Sequence, residues 1–345
     1  MPADTSCELD HNCTSEIAYS SVEELKKVSP NQTLPFDGLF ILFKKSKRTA
    51  SNGSEFTSLS LGDQTGRFTI NCFGDNPINN VVDTLKEGAV VHLTGRTGFY
   101  RDQFSPKLIE IRDCEPETLS DEVIERLVKV APEDADALWS ELESFRDSIN
   151  DSSLRQTVVF AMEELGQAFK QAPGAISMHH AYRFGLIEHT VHILRCARVL
   201  LPLYPEIHAD LALAGIILHD VGKVIEYEGQ FSYQKSREGR LYGHVVLGYR
   251  LARKAGIRAK LSQDHLERLE HIILSHQGEL EWGAAVLPST PEAVFVSQVD
   301  NLDAKMGMVQ EALRQSSQTR EEFSDYLPGL KTKILVAPVE GVIES

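Results

Sequence analysis

The sequence predicts a multi-domain chain, a five-stranded β-barrel followed by an all-α helical bundle. Three observations predict it. Between Pro35 and Cys114, apolar and polar residues alternate in short runs broken by turn residues. From Ser120 onward, apolar residues recur at helical spacing. Ten of the twelve histidines fall between His179 and His276, inside the helical part. A chain of 345 residues has room for two domains.

Composition narrows the class. Hydrophobic residues make 42% and charged residues 25%, the balance of a water-soluble globular protein. No apolar run approaches the length of a membrane helix, so no membrane partner is expected. The opening residues, MPADTSCELDHNCTSE, lack the basic start and apolar core of a signal peptide. Cys7, Cys13, Cys72, Cys114 and Cys196 are scattered and odd in number, which argues against a disulfide framework and for a cytoplasmic location. The net charge of −15 excludes a protein that binds nucleic acid over its whole surface. A local site is not excluded. Thr33–Cys114 holds ten Lys/Arg against nine Asp/Glu, so the remainder carries the acidic excess. That acidic surface is compatible with a homo-oligomer associating through helical faces.

Residues 1–32 read as a polar tail, where Cys7, His11 and Cys13 lack the fourth ligand and the fold that a metal site needs. In residues 33–115 the stretch FTSLSLGDQTGRFTINCF marks a hairpin about Asp63-Gln64-Thr65-Gly66. FDGLFILFKK, GAVVHLTGRTGFY and PKLIEIRDC supply the other strands, with helix-like NNVVDTLKEG between the third and fourth. Five strands with a helix in that place resemble an OB-fold barrel, which implies a nucleic-acid-binding domain. Such barrels track single strands with basic residues and aromatic stacking platforms. The candidates here are Lys44, Lys45, Lys47 and Arg48, read as a run in the first loop, with Phe99, Tyr100, Arg101 and Phe104. Residues 116–175 read as a helical linker opening the second domain, 176–318 as the histidine-rich helical domain, and 319–345 as an extension. Within the helical domain, FSYQKSREGRLY is expected to form a hairpin.

Residues 211–223, LALAGIILHDVGK, pose the central problem. Eight apolar residues, Leu211–Leu218, suit a helix buried on all sides, yet they run straight into an ionisable pair, His219-Asp220. An uncompensated charge there costs several kcal/mol at least, on the order of 3–5. His189, His244, His276 and Asp300 also lie on or beside apolar helical faces. One shared divalent cation accounts for all of them, because neutral imidazoles and carboxylates bind such ions and the ion supplies the missing charge. Asp220 suits contact with two ions, since a carboxylate has two oxygens and an imidazole one free nitrogen.

The order His…His-Asp…His…His…Asp resembles the HD-domain phosphohydrolases. APGAISMHHAYRFGLIEHT, ILHDVGK, EGRLYGH, ILSHQGELEWG and VDNLDAKM narrow this to a resemblance to the YhaM-type 3′→5′ exoribonucleases, in which an OB-type domain precedes an HD domain. The resemblance spans about Thr33 to Gln315 and implies a primary metal on His189, His219, Asp220 and Asp300. It implies that His244 and His276 hold a second metal or contact substrate phosphate. Mn²⁺ is the expected ion, with cobalt, magnesium and iron as alternatives, one or two per chain. Asp220, Lys223 and His244 are the expected catalytic groups. A metal ion would lower the pKa of its water toward about 7, and Lys223 would offset charge on the phosphorane oxygens. Two departures stand out: Gln277 where the family commonly has a second histidine, and Arg183-Phe184 where it has small residues. Gly222 is expected to let the chain turn closely about the site. His180 and His192 are candidates to lie near the pocket. His179 reads as partly structural, His208, His265 and His271 as ordinary, and Cys196 as a small core residue.

The implied activity is 3′→5′ hydrolysis of single-stranded RNA, or of DNA. Two rivals remain open: a hydrolase of small nucleotides with a regulatory OB domain, and a single-strand-binding protein with a vestigial pocket.

Overall fold

The computed structural model describes residues 21–50, 53–74, 77–101, 103–115, 118–176, 180–316 and 322–337. Cys7, His11, Cys13 and His179 lie outside them. The chain divides into two compact units, one running to Lys129 and including Gly229–Ser232, the other comprising Val130–Glu228 and the chain from Tyr233.

The first unit begins with helix α1 (Val22–Lys27), started by a capping box in which Ser21 and Glu24 exchange side-chain and backbone bonds. Val22 and Leu25 are buried in the core of the sheet, so the chain from Ser21 is part of the unit and not of a tail. Strands β1 (Pro35–Thr49), β2 (Glu55–Asp63) and β3 (Gly66–Phe73) form a meander. In the β2–β3 turn, Asp63 accepts bonds from the backbone N–H groups of Thr65 and Gly66, and its other oxygen accepts from Val22 N–H at 2.8 Å. Helix α2 (Asn79–Thr84) leads to β4 (Val90–Arg96). A small hairpin of β5 (Phe99–Tyr100) and β6 (Gln103–Phe104) precedes β7 (Lys107–Cys114).

The sheet is antiparallel, in the order β3-β2-β1-β4-β7. Its end strands, β3 and β7, are not hydrogen-bonded neighbours, so the expected closed barrel is an open five-stranded sheet. Side chains rather than a backbone ladder fill that side: Phe104 of the small hairpin meets Phe68 of β3 edge-on, ring centroids 5.8 Å apart. Helix α3 (Asp121–Leu127) also belongs to this unit, and Gln64 N–H donates to the Arg126 carbonyl at 3.4 Å.

The second unit is helical: α4 (Ala135–Asp147), α5 (Ser152–Gln171), α6 (Gly185–Leu200), α7 (Ala209–Leu218) and α8 (Lys223–Glu226). A two-stranded ribbon, β8 (Tyr227–Glu228) with β9 (Gln234–Lys235), precedes α9 (Arg237–Arg258). The expected hairpin is thus shorter, because Ser236 caps a helix that absorbs Arg237-Glu238-Gly239-Arg240. Then come α10 (Gln263–Ser275) and α11 (Pro291–Ser316).

Helix α7 is the centre of this unit. Leu211, Ala212, Ala214, Ile216, Ile217 and Leu218 are all essentially inaccessible to solvent, and each large aliphatic contributes about 1.5–3 kcal/mol by burial. Gly215 is where α10 comes close: a Cβ there would stand 2.9 Å from Ile272. That contact brings the C-terminal ends of α7 and α10 side by side.

At Gly222 the chain does pass closely about the site. The residue's φ of −65° is ordinary; what excludes a side chain is proximity, since a Cβ would lie 2.0 Å from the His244 carbonyl oxygen and 2.5 Å from Gly248 N. Gly222→Ala should therefore strain main chain against main chain and cost about 1–3 kcal/mol or more in chemical denaturation. An unchanged denaturation midpoint would show that this contact is slack.

Candidate metal centre

Three of the four histidines of the centre are delivered by the end or the break of a helix, and the fourth from within one. His189 lies in the second turn of α6. His219 is the C-cap of α7 and His276 the C-cap of α10. His244 follows Gly243, whose φ of 69° and ψ of 160° interrupt α9 and re-aim the chain. Only glycine takes that conformation without strain. Asp300 and Asp303 stand three residues apart on one face of α11.

These groups converge on Asp220, 3% exposed. Its Oδ2 lies 3.3 Å from His219 Nε2 and 3.7 Å from His189 Nε2, and His189 Nε2 is 3.2 Å from Asp300 Oδ1. Its Oδ1 lies 3.4 Å from His276 Nε2 and 3.5 Å from His244 Nε2. Five of the six residues expected to bind metal therefore form two sets that share Asp220, and Asp300 joins the first through His189.

The far nitrogens of the four rings are all engaged. His219 Nδ1–H donates to the Ile216 carbonyl at 2.6 Å, and His276 Nδ1–H to the Ile273 carbonyl at 2.7 Å. Both carbonyls belong to final helical turns, whose C=O groups have no intrahelical donor. His189 Nδ1 bonds Asp303 Oδ2 at 2.7 Å, and His244 Nδ1 bonds Glu226 Oε2 at 2.9 Å. A carbonyl or carboxylate acceptor fixes the proton on Nδ1 and turns the Nε2 lone pair inward. His189 and His219 then face each other Nε2 to Nε2 at 3.3 Å, and Asp220 Oδ1 is buried with no hydrogen-bond partner. Lone pairs and an orphaned carboxylate oxygen at these distances fit a divalent cation.

Burial pushes the Asp220 carboxyl up, but the Lys223 ammonium and His219 outweigh it and hold it well below the usual carboxylate range. Burial pulls the His189 imidazole down, yet Asp300 and Asp303 more than reverse this and lift it to about 10, so a cation taking its Nε2 must displace a proton. Burial likewise raises Glu226, and its bonds to His244 and Lys235 bring it down to about 2. Lys223 Nζ sits 2.5 Å from Asp220 Oδ2 and supplies positive charge to the same cluster.

Sequence reasoning missed Asp303 and Glu226. Asp303 serves three imidazoles: His189, His180 at 3.0 Å and His192 at 3.4 Å. The signal was its place one turn after Asp300, on the same face. His180 is buried and also meets Glu188 at 2.9 Å. His192 reaches outward to Glu133 at 2.6 Å, and Arg195 binds both Glu133 and Glu141. His208 and His265 do structural work, at the α7 N-cap and beside Asp151. Arg183 stacks its guanidinium 4.8 Å from the Phe184 ring.

In the first unit the basic run is strand, not loop: Lys44, Lys45, Lys47 and Arg48 face Ser60, Leu59, Thr57 and Phe56 across β1–β2. Lys45 is committed elsewhere, its ammonium donating to the carbonyls of Val82, Asp83 and Leu85 at the end of α2. Lys47 lies 3.4 Å from Asp83. Phe99 and Phe104 pack edge-on with centroids 5.5 Å apart, and Phe104 also packs on the core. Tyr100 is 66% exposed, with the Arg101 guanidinium 5.3 Å from its ring.

Comparison with known proteins agrees with this geometry. The HD domain family matches residues 186–305, which span His189 to Asp303. A 3′-5′ exoribonuclease YhaM of Shouchella clausii is 32% identical over 303 residues, covering 88% of this chain and 93% of the relative. The YhaM of Halalkalibacterium halodurans is 30% identical over 303 residues, covering 88% and 92%. That of Listeria innocua is 31% identical over 301 residues, covering 87% and 94%. With the similarity running through both units, the chain belongs to the family of the YhaM 3′-5′ exoribonucleases.

Proposed function

We propose that the protein is a metal-dependent hydrolase that shortens single-stranded RNA from its 3′ end. The observation carrying this reading is Asp220, a buried carboxylate with one oxygen among His189 and His219 and the other, unpartnered, between His244 and His276. His189, His219, Asp220 and Asp300 would hold a primary divalent ion, Mn²⁺ by expectation, and Asp220, His244 and His276 a second. Bound there, a divalent ion supplies a nucleophilic water at neutral pH and offsets charge on the phosphate. Asp303 and Glu226 hold the rings of His189 and His244 in aim. Lys223, beside Asp220, would bring an ammonium to the phosphate oxygens.

The first unit would hold the strand. Its sheet order and intervening helix are those of an OB-type fold, and Tyr100 with Arg101 offers a stacking face beside a positive charge. Lys44 and Arg48, on the strand face opposite Lys45, are the phosphate contacts. We assign strand binding to residues 33–115 and hydrolysis to 176–318. The direction of cleavage and the RNA substrate rest on the relatives' names. Among the described residues no helix is long and apolar enough to cross a membrane; a cytoplasmic location is part of the proposed reading.

A 5′-labelled single-stranded RNA incubated with Mn²⁺ should give a ladder descending from the 3′ end, absent with EDTA or with Asp220→Asn. RNA bound but left intact with Mn²⁺ present would remove the hydrolase reading. Asp303→Asn should weaken Mn²⁺ affinity by about 10–100-fold while the helical circular-dichroism signal is kept. Tyr100→Ala should weaken single-strand affinity by about 1–3 kcal/mol, measured by fluorescence anisotropy, without changing cleavage of a dinucleotide. Equal binding by Tyr100→Ala would move the strand to another face.

A further inference from the structure

Gln277 follows directly on the α10 C-cap, and Gly278, with φ 78°, ends the helix with its N–H on the Ser275 carbonyl at 2.9 Å. The backbone of Gln277 is thereby pinned beside the second set of groups. Its side-chain nitrogen lies 3.2 Å from His244 Nε2 and 3.0 Å from His276 Nε2. The outer nitrogens settle which way the amide points. His244 Nδ1 faces a carboxylate and His276 Nδ1 a carbonyl, so both Nε2 atoms are acceptors. An amide NH₂ carries two N–H donors, one for each ring, whereas an amide oxygen there would face two lone pairs. Asp220 Oδ1 gains nothing from this arrangement and stays without a partner.

We propose that Gln277 is a competitor for the second metal position: its amide donates to the two imidazole nitrogens that would bind the ion and so separates the affinities of the two sites. The proposal rests on the metal reading above and deepens it. Among the described residues no amide is hydrogen-bonded to the first set, His189, His219, Asp220 and Asp300; an ion arriving there would displace the Lys223 ammonium from Asp220 Oδ2 but break no hydrogen bond to an imidazole Nε2 from a side chain outside the set. At the second set the ion must break both amide hydrogen bonds before it reaches His244 and His276. What it then gains is Asp220 Oδ1, the oxygen the amide leaves unsatisfied. The second site is therefore weakened, not abolished. Its occupancy follows the ambient ion concentration over a range in which the first site stays full.

The test is calorimetric titration of the metal-free full chain with MnCl₂, with electron paramagnetic resonance at each step. The wild-type chain should fill one site first and the second at least about tenfold more weakly, the scale of two neutral hydrogen bonds. Exchange coupling between Mn²⁺ ions should grow in only with the second step, because Asp220 links the two. Gln277→Ala should tighten the second step by about tenfold and leave the first unchanged. Gln277→His, which provides an imidazole, should tighten it further. Equal affinities in the wild-type chain overturn the proposal. So does a weaker second step in Gln277→Ala, which would make the amide oxygen a ligand. Binding of no Mn²⁺ at all overturns the metal reading itself, independently of any assay on RNA.

Discussion

A carboxylate in the interior governs the second unit. Asp220 is removed from water, and the low-dielectric surroundings that make an unpaired charge expensive also strengthen every interaction it does form. Four imidazoles and one ammonium stand around it. The helices can be understood as the means of bringing them there. The apolar run of α7 buries on all sides and fixes the position of His219-Asp220 at its end. The tight approach at Gly215 carries α10 alongside, so that the His219 and His276 rings meet with centroids 5.1 Å apart.

Orientation is the second requirement, and two kinds of acceptor meet it. His219 and His276 use the spare carbonyls of their own helix ends, a local solution that needs no other residue. His189 and His244 use carboxylates, from α11 and from the end of α8. The α11 carboxylate, Asp303, has a further connection through His192 to Glu133 and the Arg195 guanidinium. Burial pushes Asp303 up, and the imidazoles around it hold it far below the usual carboxylate range. Glu133, bonded to Arg195, is brought down to about 2. The ring of His189 is thus held by a chain of charges that ends at the surface.

Much of this was legible in the residue order. Strand alternation, the Asp63–Gly66 turn and the placement of α2 follow from local pattern, as do the helices; the six residues expected to bind metal stood out as ionisable groups on apolar helices. Ionisable groups at the ends of apolar helices are conspicuous because burial makes them costly. What could not be read was non-local. Val22 and Leu25 sit in a short polar segment whose burial depends on a sheet that comes later in the chain. The basic run looks like a loop because its charges hide the fact that β1 extends to Thr49, and nothing near Lys45 announces that its ammonium will end α2. Asp303 and Glu226 lie in ordinary helical context, and only the far nitrogens of His189 and His244 show what they are for. At Gly222 the expected close turn is present, and the constraint is crowding by main chain that arrives later in the sequence, from α9.

That crowding has a consequence for how such a centre is able to diversify. The stretch carrying Asp220 touches the stretch carrying His244 through bare backbone, with the Gly222 Cα against the His244 carbonyl and the Gly248 amide. The nearest atoms at Gly222 are main chain, so a side chain added there cannot widen the seam by small steps. The spacing between the two halves is a property of the main chain. What is left to vary is the chemical identity of the groups lining each half, Gln277 beside His244 and His276 among them.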